Sequence, residues 1–458
     1  MTTSPATRPA PGPVRPYHFP RFTRRRLSGG VELITAPVSK LPIVSVVALL
    51  DAGATHDPAG REGLGVLTAK LLLEGTMTRD GATLADAFEQ LGASVDVDAS
   101  WDGVEVQLTV LAARLGQALA LLSDTLQHPG FRERDVARLK AERAAELLQI
   151  QADPRSLADE SFSRLLYAAS SRYAQPAGGT RRSVAAITAA DIATFYRAHY
   201  VPERLTAIVA GGVTHEEAEE LVAGAFAGWQ GTPAKMRAPD DQVAERGRRI
   251  HIVTKEEAPQ SELRIGHRGV ARDHPDYFSL VVMNAILGGL FSSRINLNLR
   301  EEHGYTYGAR SGFEWRRGAG PFVISTAVES AVTADATREV VAELTAIREK
   351  PVTDEELSLA KSFLEGVFPI RYETTAAIAG ALAALVTYEL PEDYFDSYRP
   401  SIRSVSADDV LRVARAHLDP EQLLIVAVGD PEAIRAPMAR LELAPVTVDA
   451  PADGETLA

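Results

Sequence analysis

The sequence predicts an α+β fold made of two homologous domains, each a mostly antiparallel sheet packed against helices. Three observations carry this. A 25-residue stretch recurs in similar form later in the chain. Within each half the apolar residues change from helical spacing to strand-like alternation and back. The length of 458 residues, at about 100–200 residues per domain, leaves room for two such units.

The duplication lies in Ile187–Gly211, ITAADIATFYRAHYVPERLTAIVAG, and Val405–Gly429, VSADDVLRVARAHLDPEQLLIVAVG, offset by 218 residues without a gap. Identical pairs include Asp191/Asp409, Arg197/Arg415, His199/His417, Pro202/Pro420 and Leu205/Leu423. The local physics repeats with them. Thr188 and Ser406 are N-cap residues, each followed by an Asp in the first turn. His-x-x-Pro ends each helix, because Pro cannot continue it. The apolar runs Leu205–Ala210 and Leu423–Val428 then read as buried strands.

The remaining elements follow in order. Val46–Leu50 is a strand, AGATHDPAGREG a turn, and Leu64–Leu73 a helix with an apolar face. Thr83–Leu91 is a further helix, and Ser94–Ser100 with Gly103–Val110 alternate like a hairpin. After the first copy of the repeat, Gly228–Arg249 holds GTPAK, Pro239 and Asp240–Asp241, a polar joining segment. In the second half Glu262–His267 is a strand, and Asp276–Leu287 and Arg294–Glu301 are helices. Tyr305–Trp315 and Gly320–Val328 form the second hairpin. The organisation is therefore a flexible arm over 1–20, a first domain over 21–230, a linker over 231–249, a second domain over 250–443 and a loose tail over 444–458.

Composition narrows the function. The net charge of −13 repels phosphate backbones and argues against a nucleic-acid partner. The absence of cysteine excludes a disulfide framework, a thiolate metal site and a thiol nucleophile. The opening MTTSPATRPAPGPVRP has no apolar core of the secretory kind. The longest mostly apolar runs, Leu41–Leu50 and Ala376–Val386, fall short of the ~20 residues of a membrane span. The expectation is a cytoplasmic protein with no membrane segment. No GxxxxGK[ST], GxSxG or HExxH is present. No two of the ten histidines stand at i, i+4, so each reads as a surface or capping residue.

Leu50–Thr76, LDAGATHDPAGREGLGVLTAKLLLEGT, resembles the active-site region of the M16 (pitrilysin/insulinase) metallopeptidases, and Ile286–Ser311, ILGGLFSSRINLNLREEHGYTYGARS, resembles that family's substrate-binding segment. The resemblance spans roughly residues 20–440 and implies the metallohydrolase fold shared with the mitochondrial processing peptidase. In the family an H-x-x-E-H helix supplies two zinc ligands and a water-activating Glu, and a later Glu supplies the third ligand. Aligned on Gly63-Leu64 and Glu74-Gly75-Thr76, this chain has Val66, Ala69 and Lys70 at the His, Glu and His positions. The third-ligand position falls at Glu146, which the residues alone read as a solvated or ion-paired helix residue. The family's substrate-binding Arg and Tyr match Arg300 and Tyr307. From the residues alone, Arg300 pairs with Glu301 or Glu302 and Tyr307 packs in the sheet; the resemblance reverses this reading.

The resemblance thus implies a zinc-lacking, substrate-binding subunit with no cofactor of its own. Zinc is expected in an H-x-x-E-H partner of the same family, in a heterodimer that hydrolyses peptides within an enclosed chamber. The other reading is a catalytically inert assembly subunit, like the zinc-free core subunits of the respiratory bc1 complex.

Overall fold

The computed structural model describes residues 16–235 and 238–451. Strands β1 (Thr23–Arg26), β2 (Glu32–Pro37), β3 (Ile43–Leu50), β4 (Ser94–Ala99), β5 (Val104–Leu111) and β6 (Leu205–Gly211) build one sheet in the order β1-β2-β6-β3-β5-β4. Strands β7 (Arg249–Thr254), β8 (Gln260–Arg268), β9 (Ala309–Phe313), β10 (Pro321–Glu329), β11 (Leu424–Gly429) and β12 (Val446–Asp449) build the other as β12-β7-β11-β8-β10-β9. The two orders match strand for strand except at one edge. There β1, from the start of the chain, runs antiparallel to β2, whereas β12, from its end, runs parallel to β7. Pairing is mostly antiparallel, with parallel contacts at β2–β6, β7–β11 and β7–β12. Each sheet packs against helices, an α+β architecture.

The duplicated stretch folds alike in both halves. Helices Ala189–His199 and Ala407–His417 each begin with a full capping box. Asp191 N–H donates to Thr188 Oγ1 at 3.1 Å and Thr188 N–H returns a bond to Asp191 at 2.9 Å. Ser406 and Asp409 repeat this at 3.1 and 3.0 Å. Two otherwise orphaned amides are satisfied at each start. The strands that follow, β6 and β11, are buried along their whole lengths. Strands that read as continuous apolar runs are buried on both faces.

What covers the second face is a reciprocal exchange. In the first sheet Val44, Val46, Ala48 and Leu50 point to that half's own helices, while Val47 and Leu49 face the other way. That outer face is covered by Thr375–Thr387, a helix of the second half that packs across β3 and β6. Ser45 Oγ meets Thr375 Oγ1 at 2.8 Å across this contact. Conversely Pro154–Leu166, a helix of the first half, packs across β8 and β11. Its Leu157, Ala158 and Phe162 cluster with Leu424, Val426 and Val428. Arg317 adds a polar tie: its Nη1 donates to Asp51 at 2.8 Å and its Nε to the Thr387 carbonyl at 2.8 Å.

Several expectations shift. Residues 16–20 of the expected arm are anchored, because Phe19 is buried and stacks on Phe395 at 3.9 Å; residues 1–15 lie outside the described residues. The expected loose tail contains β12 before the described chain ends. The strand expected over Tyr305–Trp315 is confined to Ala309–Phe313. The expected linker closes at its end into β7, which begins at Arg249. His56, His199 and His267 are buried rather than on the surface. One stretch, Tyr277–Glu302, is long and apolar enough in composition to cross a membrane. Half of its most apolar window is buried, and the chain leaves helix between Leu290 and Ser293.

Candidate functional site

The helix Leu64–Leu71 is set by a buried carboxylate at its start. Asp57, 1% exposed, accepts from the amides of Gly63 and Gly65, both at 2.7 Å. Arg172 Nη2 donates to it at 2.8 Å and its guanidinium lies 5.1 Å from the centre of the Trp101 ring. A carboxylate on the first amides of a helix satisfies donors and complements the dipole. Gly63 has φ +93°, and a Cβ there would stand 2.6 Å from the Gly178 carbonyl. Only glycine suits both conditions.

From this fixed start the helix presents Val66 half-buried, Ala69 fully buried and Lys70 exposed. Lys70 faces the long helix Glu133–Ala152, and its Nζ lies 3.5 Å from Glu146 Oε1. Arg143 Nη1 donates to the other Glu146 oxygen at 3.0 Å. Burial works to raise the Glu146 carboxyl, but the Arg143 hydrogen bond and the Lys70 charge outweigh it and leave it below the ordinary carboxylate range. The two helices therefore bring together Lys70 and Glu146, the positions aligned with two zinc ligands, as an ion pair. The donor set does not fit zinc: Val66 and Ala69 have no lone pair to give, and an ammonium is a charge that repels the ion.

The second-half segment is held with equal definition. The helix Tyr277–Asn284 passes into a π-helical turn, Ala285–Gly289, and a second π-turn spans Leu297–Glu302. Such turns widen a helix at the expense of regular bonding and recur at functional sites. Ser293 stands at the N-cap position of the second helix, but its hydroxyl makes no cap bond there. The work is done by Asn296, 3% exposed. Its Nδ2 donates to the Phe291 carbonyl at 2.6 Å, and its Oδ1 accepts from the Ala309 amide at 3.0 Å. The 290–309 loop is thereby closed on itself. Sequence reasoning missed Asn296; an Asn midway between Gly288-Gly289 and the glycines at 304 and 308 was the available signal.

On this frame Arg300 rests over the Phe291 ring, 4.5 Å from its centre, and lies 3.5 Å from Glu301. The neighbour expected from the residues alone is therefore present, though at a loose distance. Tyr307 does not pack in the sheet. It is 95% exposed and, among the described residues, makes no hydrogen bond or ring contact. Its neighbours are fixed: Tyr305 N–H donates to the Leu299 carbonyl at 2.8 Å, and Thr306 Oγ1 is bonded by Thr326 at 3.0 Å. Phe291, Leu297 and Tyr307 are all exposed on this segment, and Phe291 lies against the Arg300 guanidinium. A guanidinium of this kind can take a carbonyl or carboxylate, and an exposed phenol can donate to a developing oxyanion.

Lys70 and Glu146, on paired helices within a duplicated α+β chain, stand at positions that the sequence resemblance to the metallopeptidases aligns with zinc ligands. Residues 35–177 match the family described as insulinase (peptidase family M16), and residues 186–364 match the peptidase M16 inactive domain. The chain belongs to peptidase family M16. It is 26% identical over 398 residues to an uncharacterized zinc protease of Streptomyces coelicolor, covering 86% of each chain. It is 26% identical over 266 residues to bovine mitochondrial cytochrome b-c1 complex subunit 1, covering 57% of this chain and 54% of that one. The crystal structure of a peptidase M16 inactive domain from Pseudomonas fluorescens superimposes with a TM-score of 0.83 at 26% identity, covering 89% of this chain and 98% of that one.

Proposed function

We propose that this chain is the non-catalytic, substrate-binding subunit of a heterodimeric M16 zinc peptidase of the cytoplasm. An H-x-x-E-H partner of the same family supplies the zinc and the water-activating Glu. This chain supplies Arg300 and Tyr307 to the partner's site. The guanidinium holds a backbone carbonyl of the peptide, and the phenol donates to the oxygen that gains charge as the bond is attacked. The observation that carries the reading is the contrast between the two halves. The zinc positions are closed by the Lys70–Glu146 ion pair, while Tyr307 stands exposed on a braced loop with no partner for its hydroxyl among the described residues. An enclosed chamber formed by four such domains restricts the substrate to unfolded peptides.

The test is purification of the chain alone and with a co-expressed H-x-x-E-H homologue. Peptide hydrolysis is expected only from the complex, and full activity of the isolated chain would overturn the reading. The second reading, an inert assembly subunit, is favoured by the likeness to the bovine b-c1 subunit. It requires nothing of Arg300 or Tyr307, so a complex indifferent to their replacement would select it.

A further inference from the structure

The duplication places two histidine pairs at equivalent points, and their surroundings have diverged. His56 and His199 of the first half have ring centres 4.7 Å apart. His274 and His417 of the second half, each 218 residues further on, have centres 4.8 Å apart with the rings nearly perpendicular. In the first half the pair sits beside a cation, because Arg204 Nη1 lies 2.8 Å from His199 Nδ1. The equivalent of Arg204 is Gln422, so that cation is absent from the second half. The equivalent of Asp276 is Pro58, and the carboxylate of the first pair comes instead from Asp51, 3.2 Å from His56 Nε2 and tied as well to Arg317. His417 Nε2 lies 2.7 Å from Asp276 Oδ2. One ligand atom from each of His274, Asp276 and His417 lies within 4.8 Å of the others, the sole such group among the described residues.

We propose that His274, Asp276 and His417 form a binding site for a divalent transition metal ion of the zinc type. Two imidazoles and one carboxylate are a donor set that Zn²⁺, Co²⁺ and Ni²⁺ accept, with a fourth position left for water. Arg412 Nη2 holds the other Asp276 oxygen at 2.9 Å, leaving Oδ2 turned to His417. Hydrogen-bonded carboxylates of this kind orient ligands. Tetrahedral bonds of about 2.1 Å set donors roughly 3.4 Å apart. Binding therefore draws the widest pair together and parts His417 from Asp276, with the imidazole proton of His417 carried on the ring nitrogen that does not face the ion. His274 gives up the 3.1 Å bond it accepts from the Asp276 amide or turns its ring. The ion joins the start of Tyr277–Asn284 to the end of Ala407–His417, helices that already pack together. It lies in the second half, away from Lys70 and Glu146 in sequence and in domain, and needs no partner subunit.

Titration of the metal-stripped full-length chain with ZnCl₂, followed by calorimetry, tests the assignment. One ion per chain is expected, and Co²⁺ in its place should show the visible absorption of a four-coordinate nitrogen and oxygen site. His274→Ala and Asp276→Asn are expected to weaken association by at least about 100-fold, the upper range for loss of a ligand's supporting contacts. His199→Gln, in the equivalent pair, should leave it unchanged. Should the variants fail to fold, the wild type decides: bound Zn²⁺ must shield His274 and His417, and not the exposed His303, from diethyl pyrocarbonate. Absence of saturable binding, binding unaffected by the variants, or unshielded His274 and His417 would each overturn the proposal.

Discussion

Replacing Tyr307 by Phe removes one hydroxyl and nothing else. The ring is 95% exposed and the hydroxyl has no partner among the described residues, so the folded chain loses no contact. Unfolding free energy should stay within about 0.5 kcal/mol of wild type. In the proposed peptidase complex the same hydroxyl would face the oxygen that becomes negative, where water is excluded and a donor has its full electrostatic worth. Loss of one such donor costs about 10²–10³ in kcat, or roughly 3–4 kcal/mol. Arg300→Ala is a less clean probe, because it also removes the stacking on Phe291, worth about 0.5–1 kcal/mol at an exposed site. The assay is steady-state hydrolysis of an unstructured peptide by the complex, with assembly followed by gel filtration. Tyr307→Phe should lower kcat with KM and assembly unchanged. An intact complex whose kcat stays within about twofold of wild type would refute the role of the phenol.

Other consequences are as direct. Leu382, fully buried within the exchanged helix, should cost about 2–5 kcal/mol when cut to Ala. Urea unfolding of that variant should remain one transition reporting both halves; a first-half transition left at its wild-type midpoint would contradict the exchange. Asp57→Ala leaves the Arg172 charge buried without its carboxylate and should cost about 3–5 kcal/mol, read as a fall in Tm. Burial, with the neighbouring His56 and Arg204 charges, holds the His199 imidazole down at about 4, against an ordinary 6.5. The unfolded chain then binds more protons between these values, so this contribution is complete above pH 6.5 and is lost as pH falls through 4. It amounts to about 3 kcal/mol, and His199→Gln should flatten the acid limb of stability against pH; an unchanged slope would assign that limb to other groups.

The repeat and its caps were legible because they are local. Thr188 with Asp191, and Ser406 with Asp409, carry their bonding pattern within four residues. The continuous apolar runs at β6 and β11 likewise showed strands buried on both sides. They did not show what lay against the second side, since an Ala- and Leu-rich helix such as Thr375–Thr387 fits many apolar surfaces. Strands β1, β2, β7 and β12, the outer pair on one side of each sheet, passed unnoticed: TRRR at β1 is exposed throughout and has no alternation to read. At the site, the missing donors at Val66 and Ala69 were plain from residue type alone. The meeting of Lys70 with Glu146 was not, because 76 positions of chain separate them and only the packing of two helices brings them within reach. Arg300 and Tyr307 stood out through resemblance, whereas Asn296, which fixes their loop, has the look of an ordinary helix residue.

The exchanged helices bear on how the chain is made. Strand β6 completes the first sheet at Gly211, but the helix that covers its outer face ends at Thr387. At about 5–20 residues per second, a ribosome needs on the order of ten to thirty seconds to bridge that interval. Throughout it the nascent first half carries Val47, Leu49, Ile208 and Ala210 without their native cover. Its growing chain therefore presents a sticky β surface to whatever waits at the exit tunnel, and the order of synthesis makes the second half the cap that ends this exposure.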